Sequence, residues 1–147
     1  MPRPRLIAKE EAPWSPDSTL GFDLVQRAED LALACLHEPM HISALCGLLS
    51  VSERTLRKAF QRVHGLSPCR HLRMLRLSRA RGALLSADAN LTTVTAIATG
   101  FGFLELGRFS VEYRQIFGES PSRTLQIGMS SGSPPLSQVA AASSLAI

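Results

Sequence analysis

The chain has 147 residues, of which 45% are hydrophobic and 5% aromatic, and this allows one ordinary domain or two very small ones. Its net charge of +4 favours an acidic partner. The sequence has no apolar run of transmembrane length, no secretory signal and no C-x-x-C pair among its three cysteines. We therefore expect a cytoplasmic protein with reduced thiols and no membrane partner.

The first helix is predicted to follow an irregular N-terminal stretch. Residues 1–20 are rich in proline and show no hydrophobic period, so we expect a flexible tail or linker there. A helical domain is predicted over residues 21–127. Its first helix runs from about Phe22 to His37, where Glu38-Pro39 ends it.

Residues 42–64 have the pattern of two helices joined by a tight turn. The first, short helix ends at Leu49, and a serine-containing turn follows. Ser52 can cap the second helix, Glu53 to His64, and Gly65 can end it. Because the second helix turns a basic face outward, the pattern predicts a helix-turn-helix motif.

A long linker helix is predicted over residues 67–87. Ser67-Pro68 is a helix start, because serine caps free N–H groups and proline suits the first helical position. A helix of this length is about 31 Å long, close to the ~34 Å turn of B-DNA. From Arg54 to Ala87 the chain has nine basic residues and no acidic one, and phosphate is the natural counterion of such a run.

The helix-turn-helix pattern recurs over residues 92–117. Thr92 can cap a short helix that runs to about Phe101, and Gly102 can make the turn. A second candidate recognition helix is predicted from Glu105 to Phe117. The recurrence predicts a second motif of the same kind on the far side of the linker helix.

The C-terminal part begins with one more short helix, predicted from Ser120 to about Ile127. Residues 128–147 are rich in Ser, Gly, Pro and Ala. Such a composition cannot bury enough apolar surface to offset the entropy of ordering. We therefore expect a disordered C-terminal tail.

The two motifs also repeat in their letters. At an offset of 53, Gly65, Ser67, Pro68, Arg70 and Leu72 match Gly118, Ser120, Pro121, Arg123 and Leu125. The turns align at an offset of 52, which pairs Ser50 with Gly102, so one unit carries a one-residue change. An internal repeat of this kind predicts two copies of one structural unit.

These residues resemble the C-terminal DNA-binding domain of the AraC/XylS-type transcriptional regulators. The stretch VSERTLRKAFQRVHGLSPCRHLRMLRLSRARGALL resembles the family's first motif and linker helix, and IATGFGFLELGRFSVEYRQIFGESPSRTL resembles its second motif. The resemblance covers about residues 22–126. It implies an all-α fold of about seven helices, with two homeodomain-like helix-turn-helix subdomains joined by the linker helix. It also implies a sequence-specific transcription regulator that binds successive major-groove segments of double-stranded DNA.

The resemblance carries recognition positions over to this chain. The base-reading candidates are Arg54, Arg57, Lys58, Arg108, Ser110 and Val111. The phosphate candidates are Ser52, Thr55, Arg62, Ser67, Arg70, Arg114 and Ser120. The family usually has glycine where this chain has Ser50, and serine at positive φ costs about 1 kcal/mol. Gly107 has no side chain to read a base, so we expect more phosphate contact than base readout from the second unit.

The linker helix carries four arginines at every third position: Arg70, Arg73, Arg76 and Arg79. At 100° per residue such a row winds around the helix, so the four cannot all face DNA. Arg76 falls within the apolar arc. We predict an internal salt bridge there, because an unpaired buried guanidinium is costly.

No cofactor and no metal site are expected. One set of possible zinc ligands matches no standard spacing: Cys35, His37, His41 and Cys46. His64 and His71 flank a helix junction, where one could contact phosphate or both could face solvent. No nucleophile elbow, phosphate-binding loop or H-E-x-x-H motif is present, so we do not expect an enzyme.

The alternative function is a protein-interaction module that acts on a full-length regulator or on RNA polymerase and reads DNA weakly. Ser50, Leu104 and Gly107 favour it, since each departs from the family pattern. RNA polymerase is a plausible partner in either case. Many family members also have an N-terminal effector-binding domain, which is absent from this chain, so we expect a fragment or a small stand-alone member.

Overall fold

The computed structural model describes residues 16–38 and 40–132, and this part of the chain forms seven α-helices and no β-strand. The helices are α1 (Pro16–Ala34), α2 (Ile42–Leu49), α3 (Glu53–His64), α4 (Pro68–Ser86), α5 (Val94–Gly100), α6 (Leu106–Phe117) and α7 (Pro121–Gly132). The all-α prediction is confirmed. None of these helices has the length and apolar character needed to cross a membrane.

The helices are divided between two compact units. Of the described residues, unit 1 holds 16–34 and 40–72, and unit 2 holds 35–38 and 73–132. Unit 1 therefore contains α1, α2, α3 and the start of α4. Unit 2 contains the rest of α4 together with α5, α6 and α7.

The core of unit 1 determines which face of α3 is exposed. α3 contributes Leu56, Ala59 and Phe60, whose i, i+3, i+4 spacing forms one apolar stripe. The other buried members are Val25 and Ala28 of α1 and Leu45, Cys46 and Leu49 of α2. Each fully buried Leu or Phe stabilises the unit by ~1.5–3 kcal/mol. Burial of this stripe leaves the basic face of α3 in solvent.

Unit 2 is built in the same way around α6. α4 contributes Leu77, Ala80 and Leu84 to its core. The other buried members are Ala98, Phe103, Phe109, Tyr113 and Leu125. The rings of Phe103 and Phe109 lie 4.8 Å apart between centroids, and those of Phe109 and Tyr113 lie 5.6 Å apart, both tilted, as aromatic pairs prefer.

The helix ends confirm the internal repeat. Gly65 (φ 66°) and Gly118 (φ 73°) both end their helices in the left-handed conformation. The N–H of each donates to the carbonyl four residues earlier, at 3.0 and 2.9 Å. Ser67 and Ser120 then accept the N–H three residues further on, at 3.4 and 3.2 Å. The same letters therefore make the same turn in both units.

The two turns match at the offset of 52 predicted from sequence. Ser50 (φ 54°) and Gly102 (φ 79°) both have positive φ. The next residue, Val51 or Phe103, donates its N–H to the carbonyl five residues earlier, at 3.1 or 3.0 Å. Because α3 and α6 match at an offset of 53, the extra residue of the second unit lies between Phe103 and the start of α6.

The bounds of α1 differ from the prediction. The helix begins at Pro16 and ends at Ala34, so residues 16–20 are helical and not part of a flexible tail. Proline suits the first position of a helix, and the sequence reading used that signal at Pro68 but not here. The remainder of the predicted tail, residues 1–15, lies outside the described residues.

The second half contains two smaller corrections. α7 continues to Gly132 although its end is rich in Ser and Gly. The hydroxyls of Ser130 and Ser131 each donate to the carbonyl four residues earlier at 3.2 Å, which makes serine compatible with a helix. α5 is capped by Thr93 and not by Thr92, since Thr93 Oγ1 accepts the Ala96 N–H at 3.1 Å. The rest of the predicted C-terminal tail lies outside the described residues.

Candidate nucleic-acid interface

The outward face of α3 carries the basic side chains predicted to read bases. Ser52 Oγ accepts the Thr55 N–H at 3.2 Å, which fixes where the helix begins, and Arg54, Arg57 and Lys58 are exposed. At about 100° per residue, Arg54 and Lys58 lie about 40° apart at the centre of this face, and Arg57 lies about 60° to one side of Arg54. The structure therefore brings these three predicted residues together on one surface.

Gln61 also belongs to this face, and the sequence reading missed it. It is exposed, and its i+7 spacing from Arg54 aligns it with Arg54 and Lys58 in one row along the helix. A glutamine amide can form two hydrogen bonds with adenine, as arginine can with guanine. Helical spacing could have found it, but charge alone drew attention to its neighbours.

Arg57 differs from the two central residues because it has an ion-pair partner. Its Nη2 donates to Glu53 Oε2 at 3.2 Å, and the two side chains are 62% and 45% exposed. Exposed pairs of this kind contribute ~0–1 kcal/mol, so the bond between Arg57 and Glu53 costs little to break. Arg54 and Lys58 form no ion pair with any described residue.

The outward face of α6 is different in character. Phe109 and Tyr113 are buried, and the opposite side of the helix is centred on Gly107 and Val111, the latter 58% exposed. Arg108 and Ser110 are both exposed, but they point about 160° apart at 3.6 residues per turn. These two predicted base readers therefore lie on opposite edges of the face.

Arg108 is held by an acidic residue of its own helix. Its Nε donates to Glu112 Oε1 at 3.0 Å, and Nε of Arg73 in α4 donates to Glu112 Oε2 at 2.6 Å. Burial alone would raise the pKa of Glu112, but the two guanidinium hydrogen bonds hold this pKa below its ordinary value of 4.5. Glu112 is therefore ionised at neutral pH and holds Arg108 in an ion pair.

The four arginines at every third position of α4 divide into two pairs. Arg70 and Arg79 are exposed, whereas Arg73 and Arg76 are turned inward. The predicted salt bridge of Arg76 is wrong. Its guanidinium carbon lies 5.9 Å from the Phe103 ring centroid, and its Nε has no hydrogen-bond partner within the region that the structure describes. Burial lowers the pKa of Arg76, and neighbouring Arg73 lowers it further. Among residues 16–38 and 40–132 no acidic side chain forms an ion pair with Arg76, so packing holds this side chain in place.

A hydrogen-bonded chain that the sequence did not reveal orients α6 within unit 2. Tyr113 Oη donates to Thr124 Oγ1 at 2.8 Å, and Thr124 Oγ1 donates to Glu119 Oε1 at 2.8 Å. Arg81 Nη2 donates to the same oxygen at 3.0 Å. Hydrogen bonds from Thr124 and Arg81 lower the pKa of Glu119, and burial raises the pKa of Tyr113. These hydrogen bonds link α4, α6 and α7.

The predicted phosphate contacts comprise cationic and hydroxyl side chains. The cationic ones are exposed: Arg62, Arg70 and Arg114. The hydroxyl ones are Ser52, Thr55, Ser67 and Ser120. Each of the three serines accepts a backbone N–H of the helix it begins, at 3.2 to 3.4 Å. A hydroxyl that accepts in this way can still donate its hydrogen to a phosphate oxygen.

The histidines and cysteines differ from the sequence expectation in one place. Cys46 is buried in the core of unit 1, and burial raises the pKa of its thiol, so it remains protonated and inert. His64 and His71 are neither fully solvated nor free. Nε2 of each lies against Glu29 Oε1, at 2.9 and 2.7 Å.

Comparison with known proteins identifies the family. A family model described as a helix-turn-helix domain matches residues 45–127. The crystal structure of a probable AraC family transcriptional regulator from Rhodopseudomonas palustris CGA009 is 42% identical and has a TM-score of 0.64, covering 72% of this chain and 97% of that one. The chain belongs to the AraC/XylS family. Its two units are the two helix-turn-helix subdomains of the AraC-type DNA-binding domain.

Two further relatives agree with this AraC-type assignment. A structure of an AraC-type DNA-binding domain-containing protein from Chromobacterium violaceum has a TM-score of 0.69 at 25% identity, covering 78% of this chain and 99% of that one. The probable thc operon regulatory protein of Rhodococcus erythropolis is 40% identical over 103 residues, 70% of this chain and 31% of that protein. The chain thus spans about a third of this curated relative. The matches favour DNA binding over the interaction-module alternative, and the family consists of transcription regulators.

Proposed function

We propose that this AraC-type chain regulates transcription by inserting α3 and α6 into successive major-groove segments of one double-stranded DNA site, with α3 as the main reader. The supporting observation is the difference between their outward faces. α3 presents Arg54, Lys58 and Gln61 in one row, whereas Gly107 and Val111 lie at the centre of the outward face of α6. Each bidentate contact to a base is worth ~1–3 kcal/mol of discrimination.

The length of α4 supports contact with one DNA molecule through both units. Its 19 residues span about 28 Å, compared with ~34 Å for one turn of B-DNA. The helix is uninterrupted from Pro68 to Ser86. We expect the DNA to bend when both recognition helices are in place, because two joined reading units rarely fit an undistorted site.

The second unit is proposed to bind DNA more than to read it. Val111 can contact a thymine methyl group, which is a weak form of readout. Arg108 must leave Glu112 before it can reach a base. Phosphate contacts from Arg114 of this unit, together with those from Arg62 and Arg70 of unit 1, supply affinity that is independent of sequence and that falls with salt by a slope of about 0.9 per phosphate.

Selection of bound sites from a randomised duplex library tests the proposal. The expected result is a site with one strongly and one weakly specified half, about one helical turn apart. Arg54→Ala should reduce discrimination between the selected site and a scrambled duplex by about 5- to 150-fold. Arg62→Ala should weaken binding to both duplexes equally and reduce the salt slope by about 0.9.

Arg79→Ala is the matched control, since Arg79 is an exposed arginine of α4 with no proposed DNA contact. It should keep both affinity and discrimination. If Arg54→Ala retains full discrimination while Arg108→Ala loses it, α6 is the reader and the assignment of roles is wrong. If the wild-type chain selects no site, the proposal fails as a whole.

RNA polymerase is proposed as a second partner, because the chain must change transcription after it binds DNA. The proposed location is the cytoplasm, where bacterial DNA lies. Transcription in vitro from a promoter that carries the selected site tests the partnership. Binding without any change in transcript level would contradict it.

A further inference from the structure

Unit 1 contains a cluster of metal-ligating side chains to which the proposed function assigns no role. Glu29 of α1, His64 at the end of α3 and His71 near the start of α4 each offer one ligand atom, and these atoms lie within 4.8 Å of one another. Nε2 of His64 and Nε2 of His71 lie 2.9 and 2.7 Å from the same oxygen, Glu29 Oε1. Three separate helices thus direct two imidazoles and a carboxylate to one point.

The two imidazoles share one carboxylate oxygen as their hydrogen-bond partner, which brings three potential metal ligands to one place. The two imidazole rings stack with centroids 3.8 Å apart and planes 12° apart, so two charged rings would repel each other at short range. The side chains of Glu29 and His71 are 18% exposed and that of His64 is 30% exposed, so the cluster is only partly open to water. A central cation would balance the carboxylate while both imidazoles stay neutral.

We propose that Glu29, His64 and His71 form a binding site for one divalent transition-metal ion of the Zn²⁺ class. Two imidazole nitrogens and one carboxylate oxygen suit such an ion, with water as the fourth ligand. Mg²⁺ and Ca²⁺ are disfavoured, because they prefer oxygen ligands. Neither the spacing of the cysteines nor any sequence motif pointed to this set, since its members come from three helices.

Small side-chain rotations suffice to complete the site. Zn²⁺ binds nitrogen and oxygen at about 2.0–2.2 Å, which puts the ligand atoms of a tetrahedral site about 3.3 Å apart. The two nearly parallel rings must splay so that both Nε2 lone pairs meet at the ion. With the ion bound, each imidazole is neutral and carries its one proton on Nδ1. A ring that starts as the Nε2–H tautomer shifts that proton to Nδ1, and a ring that starts doubly protonated releases its Nε2 proton to solvent.

The site rests on the core of unit 1, which limits how far its ligands can move. The buried Phe60 ring lies 6.0 Å from the His64 ring and 5.6 Å from the His71 ring, between centroids. An ion held by α1, α3 and α4 would tie these helices together. It should therefore stabilise unit 1 in the absence of DNA, so that the test does not depend on the proposed function.

The test uses the full chain, stripped with EDTA and desalted. It is titrated with ZnCl₂ by calorimetry, with CoCl₂ by visible absorption, and with MgCl₂ as the oxygen-preferring control. We expect one Zn²⁺ per chain, a tetrahedral Co²⁺ spectrum, no Mg²⁺ binding, and a rise in melting temperature of about 10 °C at a hundredfold excess over Kd. Glu29→Gln, His64→Gln and His71→Gln should each weaken Zn²⁺ binding at least ~10-fold.

His37→Gln and His41→Gln are matched controls, because these two remaining histidines of the chain are exposed and lie outside the cluster. They should bind Zn²⁺ like the wild type. Circular dichroism of each metal-free variant shows whether it folds, and Cu²⁺ EPR of the wild type counts nitrogen ligands without any substitution. Any of four results would overturn the proposal. They are the absence of Zn²⁺ binding, a thiolate-to-metal absorption band with Co²⁺, a Cu²⁺ spectrum with one nitrogen ligand or none, and wild-type Zn²⁺ affinity in folded His71→Gln.

Discussion

The turn between α2 and α3 contains strain that one substitution should release. Ser50 has φ 54° and ψ 41°, and no other non-glycine residue of the described ranges has positive φ. This conformation costs an L-residue ~1–2 kcal/mol. Glycine removes that cost but makes the unfolded chain more flexible, which lowers the stability by ~0.4–1 kcal/mol. Ser50→Gly should therefore raise the free energy of unfolding of unit 1 by about 0.5–1 kcal/mol.

Urea denaturation followed by circular dichroism measures this change. With a slope of ~1–3 kcal/mol per molar urea, the midpoint should rise by roughly 0.2–1 M. The reciprocal change, Gly102→Ser, places a side chain at φ 79° in the same turn of unit 2 and should lower stability by a similar amount. Ser50→Ala keeps the strain and serves as the control. If Ser50→Gly is no more stable than Ser50→Ala, the left-handed backbone at this residue costs nothing and the reasoning is refuted.

Three further changes test packing and charge in unit 2. Gly128→Ala should cost about 1–3 kcal/mol in urea, because the new Cβ would lie 2.4 Å from the Leu85 carbonyl oxygen. The pKa of Glu119 lies below its ordinary 4.5, so its stabilising effect is complete above that pH and is lost as pH falls through the lowered pKa. Glu119→Gln should therefore flatten the acid side of the stability–pH curve. Tyr113→Phe removes the hydrogen bond to Thr124 and should cost about 1 kcal/mol in thermal unfolding.

Each of these predictions has its own control or contradicting outcome. Gly107→Ala is the control for Gly128→Ala. Its new Cβ meets nothing within 4 Å, so it should stabilise α6 by up to about 1 kcal/mol. Unchanged stability in Gly128→Ala would mean that α7 does not pack so closely on α4. An acid slope like that of the wild type in Glu119→Gln would show that other carboxylates dominate acid unfolding. A Tyr113→Phe protein as stable as the wild type would show that the hydroxyl chain adds no net stability.

The sequence by itself determined the local elements and the repeat. The bounds of α2 and α3 were predicted to the residue, because Ser52 and Gly65 act on backbone groups of their own helix. The matching letters around Gly65 and Gly118 became matching caps for the same reason. The outward position of Arg54 and Lys58 also followed from sequence, since burial of one stripe of a helix fixes the opposite stripe.

Only the tertiary structure decided which charges meet. Arg76, expected in a salt bridge, lies by Phe103 and has no acidic partner in the described part of the chain. Glu112, in contrast, is shared by arginines of two helices. Glu29 meets His64 and His71 across 35 and 42 residues of chain. Helical periodicity assigns a side chain to one face of its own helix, but it contains no distance to another helix. Contacts between helices are set by how their apolar stripes pack together. This packing of α1, α3 and α4 brings the three candidate metal ligands to one place.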